Sequence, residues 1–126
     1  MKRFIALLLL LAWTLSACGS MNETAITETA VTFADDLGRT VTVDSPRRVA
    51  ALLGSFAQIW MLAGGEVIAT ADDAWDDLQL ELPEDAVNLG GTKSLSLEML
   101  LASNPDFIIA STNTRQNVEW RDTLEA

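Results

Sequence analysis

Residues 48–70 read RVAALLGSFAQIWMLAGGEVIAT, and this stretch decides the fold. Arg48 to Leu53 is an apolar run that follows Pro46 and stops at Gly54, which suits a buried strand. Ser55 stands where a helix needs a cap, and Phe56, Ile59, Trp60, Leu62 and Ala63 then recur at helical spacing. Gly64 and Gly65 end that helix, and Val67, Ile68 and Ala69 form a second strand. Strand, helix and strand over short connections make a βαβ unit, which implies two parallel neighbours in one sheet.

Working toward the carboxyl end, Val87, Asn88 and Leu89 form a weaker third strand, ended by Gly90 and Gly91. Ser96 caps a further helix, with Glu98 in its first turn and Met99, Leu100 and Leu101 on its inner side. Asn104 and Pro105 stop it, and DFIIA at 106–110 is the fourth strand. From about Thr114 to Ala126, Val118 and Leu124 lie on a sparse helical face. The runs at 48–53 and 106–110 suit strands covered on both faces.

Toward the amino end, Val31 to Phe33 and Thr40 to Val43 are short strand-like runs, the second with period two. Asp35 to Arg39 lies between them and contains Gly38, so the pair reads as a β-hairpin. Asp44, Ser45 and Pro46 break that pattern. The expected fold is α/β, a three-layer parallel sheet led into by a hairpin.

Ahead of the hairpin, GSMNETAITETA at 19–30 is polar, without sustained period, and reads as a tether. The chain starts MKRFIALLLLLAWTLSACGS, with Lys2 and Arg3 before an apolar run from Phe4 to Trp13. Basic, then apolar, then small is the layout of a secretory signal peptide, and the run is well short of the roughly 20 residues that span a bilayer. Leu15, Ser16, Ala17 and Cys18 resemble the lipobox of bacterial lipoproteins, in which the cut falls before the Cys and its thiol receives a diacylglycerol. The resemblance implies cleavage after residue 17, lipid on Cys18 and anchorage to the membrane at its extracytoplasmic face, whether periplasmic or cell-surface. The expected division is a signal peptide at 1–17, lipidated Cys18 with its tether at 18–30, and one domain at 31–126.

Removing residues 1–17 takes two of the 8 basic residues and none of the 18 acidic ones, which leaves 6 against 18 and a net charge of −12. That charge argues against nucleic acid and against a peripheral grip on anionic lipid. Cys18 is the single Cys and His is absent, so neither a disulfide framework nor the usual zinc site is available. For the same reason the chain offers no usual catalytic triad or thiol nucleophile, and it reads as a non-enzyme without a cofactor. Gly90, Gly91, Thr92, Lys93 and Ser94 only faintly resemble a phosphate loop and lack its spacing.

Ligands of open parallel sheets bind beyond the carboxyl ends of the strands. Those ends are Gly54 and Ser55, Thr70 to Trp75, Gly90 to Ser94, and Ser111 to Arg115 with Asn113. Trp75 sits within ADDAWDD at 71–77, where its ring meets a ligand or a second lobe, folds back onto the core, or stacks on a neighbouring helix. The aspartates lack the Gly and closing Glu of a calcium loop and read better as a solvated loop or a helix start than as a metal site. Lys93 and Arg115 are the rim's basic residues; each either meets an anionic ligand or is a plain surface charge.

The string from Val31 to Trp75 resembles the amino-terminal part of bacterial ABC-transporter substrate-binding lipoproteins for iron–siderophore, haem and cobalamin uptake. That family opens with D-x-x-G-R-x-V-x-V, matched by Asp35 to Val43, and continues with P-x-R-V, near Pro46 to Val49. A helix ending in L-G follows, here Leu62 to Gly64, and then S-x-E-x-x-x-x-x-x-P-D-x-[IV], matched by Ser96, Glu98, Pro105, Asp106 and Ile108. The resemblance covers about residues 31–126. It implies a periplasmic-binding-protein-like fold of two lobes, which captures a metal chelate in a cleft and hands it to a permease.

Two departures follow from it. The chain ends at Ala126, where the family would be nearing the end of its first lobe, so the expectation is a cleft with one wall and the second lobe missing. Where the family places a Glu for docking to the permease, this chain has Gln58, with Glu66 as the alternative. The resemblance implies an iron–siderophore as the ligand, with haem or a corrinoid behind it; without Tyr or His the chain offers no usual haem-iron ligand apart from Met. The reading from a different class is a stand-alone or truncated surface lipoprotein that binds a protein or cell-envelope partner.

Overall fold

The computed structural model describes residues 30–125. The expected signal peptide, Cys18 and all but the last residue of the tether lie outside these described residues. No helix among the described residues is long and apolar enough to cross a membrane.

The hairpin forms as read: β1 (Val31–Ala34) pairs antiparallel with β2 (Thr40–Val43) as its own two-stranded sheet. Its turn is built on Asp35, whose carboxylate accepts the N–H groups of Leu37 at 3.0 Å and Arg39 at 2.8 Å. Gly38 supplies the left-handed residue with φ of 75°.

The remaining strands form one parallel sheet in the order β5-β4-β3-β6, with β3 at Val49–Ala51, β4 at Val67–Thr70, β5 at Val87–Asn88 and β6 at Phe107–Ile109. Alternation along β3 points Ala50 to one face and Ala51 to the other. The first face, with Leu52 and Ala69, is covered by Leu100 of α3 (Leu97–Ala102) and by Trp120 and Leu124 of α4 (Arg115–Leu124). The second face, with Val67, is covered by Ala57, Phe56, Trp60 and Met61 of α1 (Gly54–Leu62). The three-layer α/β reading therefore holds. Buried-strand character holds for β3, whose residues are all buried, but β6 is only half-buried because it is an edge strand.

Helix ends follow the sequence in two places and depart from it in one, and the inner face of α4 departs as well. Ser96 caps α3, its hydroxyl accepting the Met99 N–H at 3.2 Å. Gly64, with φ of 92°, ends α1. Ser55 does not cap α1: the cap position belongs to Leu53, Ser55 lies exposed inside the first turn, and the Gly54 N–H is instead taken by the Asp73 carboxylate at 2.9 Å. On α4, Leu124 faces the core as read, but Val118 is exposed and Trp120 takes the inner position.

At the amino ends of β3 and β6 the chain is clamped. The Asp106 carboxylate accepts the Arg47 N–H at 2.9 Å and the Arg48 N–H at 2.8 Å, while the Arg48 guanidinium donates to the carbonyls of Ser103 and Asn104 at the end of α3.

Candidate ligand-binding rim

Because all four strands are parallel, their carboxyl ends lie on one edge of the sheet. The chain runs β3, β4, β5 in one direction and then returns to place β6 on the other side of β3. The reversal makes a switch point between β3 and β6, the place where open α/β sheets leave a crevice. Gly54 and Ser55 follow β3, and Ser111, Asn113 and Arg115 follow β6, so five of the seven candidate residues flank that point. Trp75 and Lys93 follow β4 and β5, toward the opposite edge.

Hydrogen bonds stitch the rim loops together. The Leu52 N–H donates to the Ile109 carbonyl at 2.9 Å, the Asp72 N–H to the Gly90 carbonyl at 3.0 Å, and the Leu89 N–H to the Thr70 carbonyl at 2.8 Å. Gly54 meets α2 (Asp73–Asp76) so closely that a Cβ there would sit 2.7 Å from the Ala74 nitrogen. Asp73 therefore has a structural task, fixing the start of α1 against the loop after β4. Gln116, on α4, receives the Leu95 N–H at 3.0 Å and returns its own amide N–H to the Leu95 carbonyl at 3.1 Å. Neither Asp73 nor Gln116 was legible from local pattern, since their partners lie 19 and 21 residues away.

Ser111 uses its hydroxyl to accept the Asn113 N–H at 3.1 Å, shaping the turn before α4. Arg115 projects into solvent and pairs with Glu119 at 2.6 Å, and that partner raises its pKa. The contact offsets part of the charge available to an anionic ligand. Lys93 is exposed. Trp75 is half-buried on α2 and is absent from the side chains packed on either core cluster, which disfavours the fold-back reading. The acidic run resolves into the start and body of α2, and no group of three or more His, Cys, Asp or Glu among the described residues is arranged to hold a metal ion. Gln58 lies half-buried on α1, while Glu66 is exposed just before β4, at the end of the sheet opposite the rim.

Two cavities lie away from this rim. One of about 640 Å³ runs beside β6, between the hairpin and α4, and reaches the rim only at Ser111 and Thr112. The other, about 450 Å³ and mostly apolar, lies under the hairpin against Trp60 and Phe107.

No family model matches the chain, and no curated protein matches it. Solved structures do. The siderophore-binding protein BauB, bound to a complex between two molecules of acinetobactin and ferric iron, aligns with a TM-score of 0.60 at 22% identity, covering 77% of this chain and 34% of its own. SirA of Staphylococcus aureus, complexed with staphyloferrin B, aligns with a TM-score of 0.59 at 18% identity, covering 75% and 33%. The chain thus spans about a third of the length of the structures it matches. At these identities the likeness establishes the fold, a periplasmic-binding-protein-like lobe.

Proposed function

We propose that this chain is the ligand-facing amino-terminal lobe of a solute-binding protein for iron–siderophore complexes. The observation that carries the reading is the sheet: its carboxyl-end loops meet at a switch point, in a fold shared with two siderophore-binding proteins. The lobe captures a ferric chelate on the rim, with Trp75 and the turns at Gly54–Ser55 and Ser111–Arg115 as contacts, and it does no chemistry on its cargo. One wall leaves a chelate half-covered, so a second lobe completes the grip.

The remaining parts rest on the sequence. Lipid on Cys18 holds the lobe at the extracytoplasmic face, and a permease receives the ligand, with Gln58 on α1 as the docking candidate. Labelling with a palmitate analogue tests the anchor: incorporation is expected in the full chain and lost in Cys18→Ser.

Tryptophan fluorescence of the chain in detergent, titrated with ferric siderophores, tests the site. Saturable quenching that Trp75→Phe abolishes, with Trp60 and Trp120 left in place, supports a chelate over the rim. Quenching unchanged by that substitution on a folded chain removes Trp75 from the site. Absence of quenching across hydroxamate, catecholate and carboxylate chelates removes the lobe as a receptor by itself.

A further inference from the structure

The loops at the carboxyl ends of the strands differ sharply in charge. After β3, residues 52–55 carry none. After β4 come Asp72, Asp73, Asp76 and Asp77, after β5 comes Lys93, and after β6 comes Arg115. Four carboxylates therefore stand against two cations, and Arg115 is already paired with Glu119. That pair is exposed and opens readily, but the carboxylates outnumber the cations even with Arg115 counted free. None of the four aspartates is in an ion pair among the described residues. All of these charges sit on the sheet's own connections, so the lobe brings them to any ligand on the rim.

The aspartates lie across the middle of the rim. Because β4 is between β5 and β3, the segment after it stands between the loops that follow those two strands. Asp73 reaches the β3 side, where its carboxylate accepts the Gly54 N–H at 2.9 Å. Asp72 reaches the β5 side: a Cβ built on Gly91 would lie 3.7 Å from its carboxylate Oδ2. The Asp72 N–H donates to the Gly90 carbonyl at 3.0 Å, which fixes this residue against the same turn. Asp72 and Asp73 are half-buried, while Asp76 and Asp77 are exposed. Among these four sits Trp75, half-buried and packed on neither core cluster. An indole bordered by carboxylates favours a cation, which both the ring face and the carboxylates attract, and disfavours an anion, which both repel.

Ferric chelates divide by charge. Hydroxamate groups just cancel the charge of the metal, and an amine elsewhere on the molecule then makes the complex a cation. Catecholates carry more charge than the metal cancels, and polycarboxylates keep free acid groups, so both leave an anion. We propose that the rim selects neutral or cationic ferric hydroxamates, with Asp72, Asp76 and Asp77 as the groups that turn polyanionic chelates away. The inference rests on the chelate-binding reading and adds to it the charge class of the cargo. Asp73 is left out of the selecting set because its carboxylate is engaged at Gly54. Since the selecting charges are partly or fully exposed, salt screens them, and the preference is strongest at low ionic strength.

The test is equilibrium dialysis of the full chain in non-ionic detergent against three iron-loaded probes. These are a linear ferric trihydroxamate with a free amine, the same compound with that amine acetylated, and a ferric tricatecholate. At low salt the amine form should bind several-fold more tightly than the acetylated form, and the tricatecholate most weakly. Asp72→Asn, and separately Asp76→Asn combined with Asp77→Asn, should shrink the gap between the two hydroxamates and strengthen retention of the tricatecholate. Added salt should shrink the same gap in the unaltered chain, a readout that does not depend on the folding of any variant. Equal affinity for the two hydroxamates at low salt, a tighter grip on the tricatecholate, or a gap that neither salt nor the variants move overturns the charge selection and leaves the rim as a chelate site. Retention of none of the three probes overturns the chelate-binding reading together with this inference.

Discussion

The four-stranded sheet and the hairpin are both made of short β runs, yet different forces hold them. In β3 every residue is at most 1% exposed, whereas all four residues of β1 are exposed. The sheet is held by burial between helices, the hairpin by local polar contacts: the Asp35 turn and the Thr32–Thr42 hydroxyl contact at 2.9 Å. Alternating pattern alone thus does not say whether a β segment belongs to a core. Composition does better, because Val49, Ala50 and Ala51 have nothing polar to present to water, while Thr40 and Thr42 do.

The widest separation between the two regions should come from Leu100, fully buried at the centre of the larger core cluster. Leu100→Ala should cost about 2–5 kcal/mol of global stability, through lost transfer energy and a residual cavity. Val31→Ala in the exposed strand of the hairpin should stay within about 0.5 kcal/mol. Urea unfolding of both variants measures the contrast, and equal losses would mean that the hairpin is part of the cooperative core.

Gly54→Ala should follow, at about 1–3 kcal/mol, because its methyl group meets the Ala74 backbone and cannot be relieved by a side-chain rotation. The same variant should loosen the start of α1 from Asp73 and weaken chelate quenching at Trp75. Denaturation and titration of one sample separate the two effects.

Acid sharpens the comparison further. At Asp106 burial pushes the carboxyl up, but the N–H groups of Arg47 and Arg48 outweigh it and the pKa is lowered. At Asp35 the Arg39 side chain, then the Arg39 N–H, lower it as well. A carboxyl lowered in the folded chain stabilises it at pH values above its unfolded pKa of about 3.9, and this contribution fades as pH falls through the lower folded value. Asp106→Asn should therefore flatten the acid limb of global unfolding. Asp35→Asn should alter only a local reporter, such as amide exchange at Leu37. If Asp35→Asn flattened the global limb instead, the division between the regions would fail. Trp75→Phe is expected to have the smallest effect, leaving the unfolding midpoint nearly unchanged because the ring is not packed on either core cluster.

Much of the architecture was legible because it is written locally. The βαβ unit, the hairpin turn, the Ser96 cap and the Gly64 stop each depend on residues within a few positions of one another. What escaped depends on residues far apart. Strand order does not follow from sequence order, so the return of β6 to the far side of β3, and with it the switch point, needed the structure. Ser55 falls inside the first turn of α1, and Asp73 at the start of α2 takes the Gly54 N–H instead. The inner face of α4 was misread at Val118 because a sparse helix offers two faces of nearly equal apolarity, and Trp120 outweighs Val118 in area. The rim residues were found as a set, by their place after each strand, but their individual roles were not: Arg115 is engaged by Glu119, and Ser111 by its own turn.

The return of β6 also sets an order of events in time. Val49 pairs with Phe107, and the Asp106 carboxylate reaches Arg48 across 58 residues. A chain that emerges amino end first can join β3 to β4 early, through a short helical connection, but must wait for more than 50 further residues before β6 can pair with β3. Closing so long a loop is entropically slow, and until it closes one side of β3 stands open to any other strand in reach. Assembly is therefore most exposed to mispairing at the strand that ends up buried deepest.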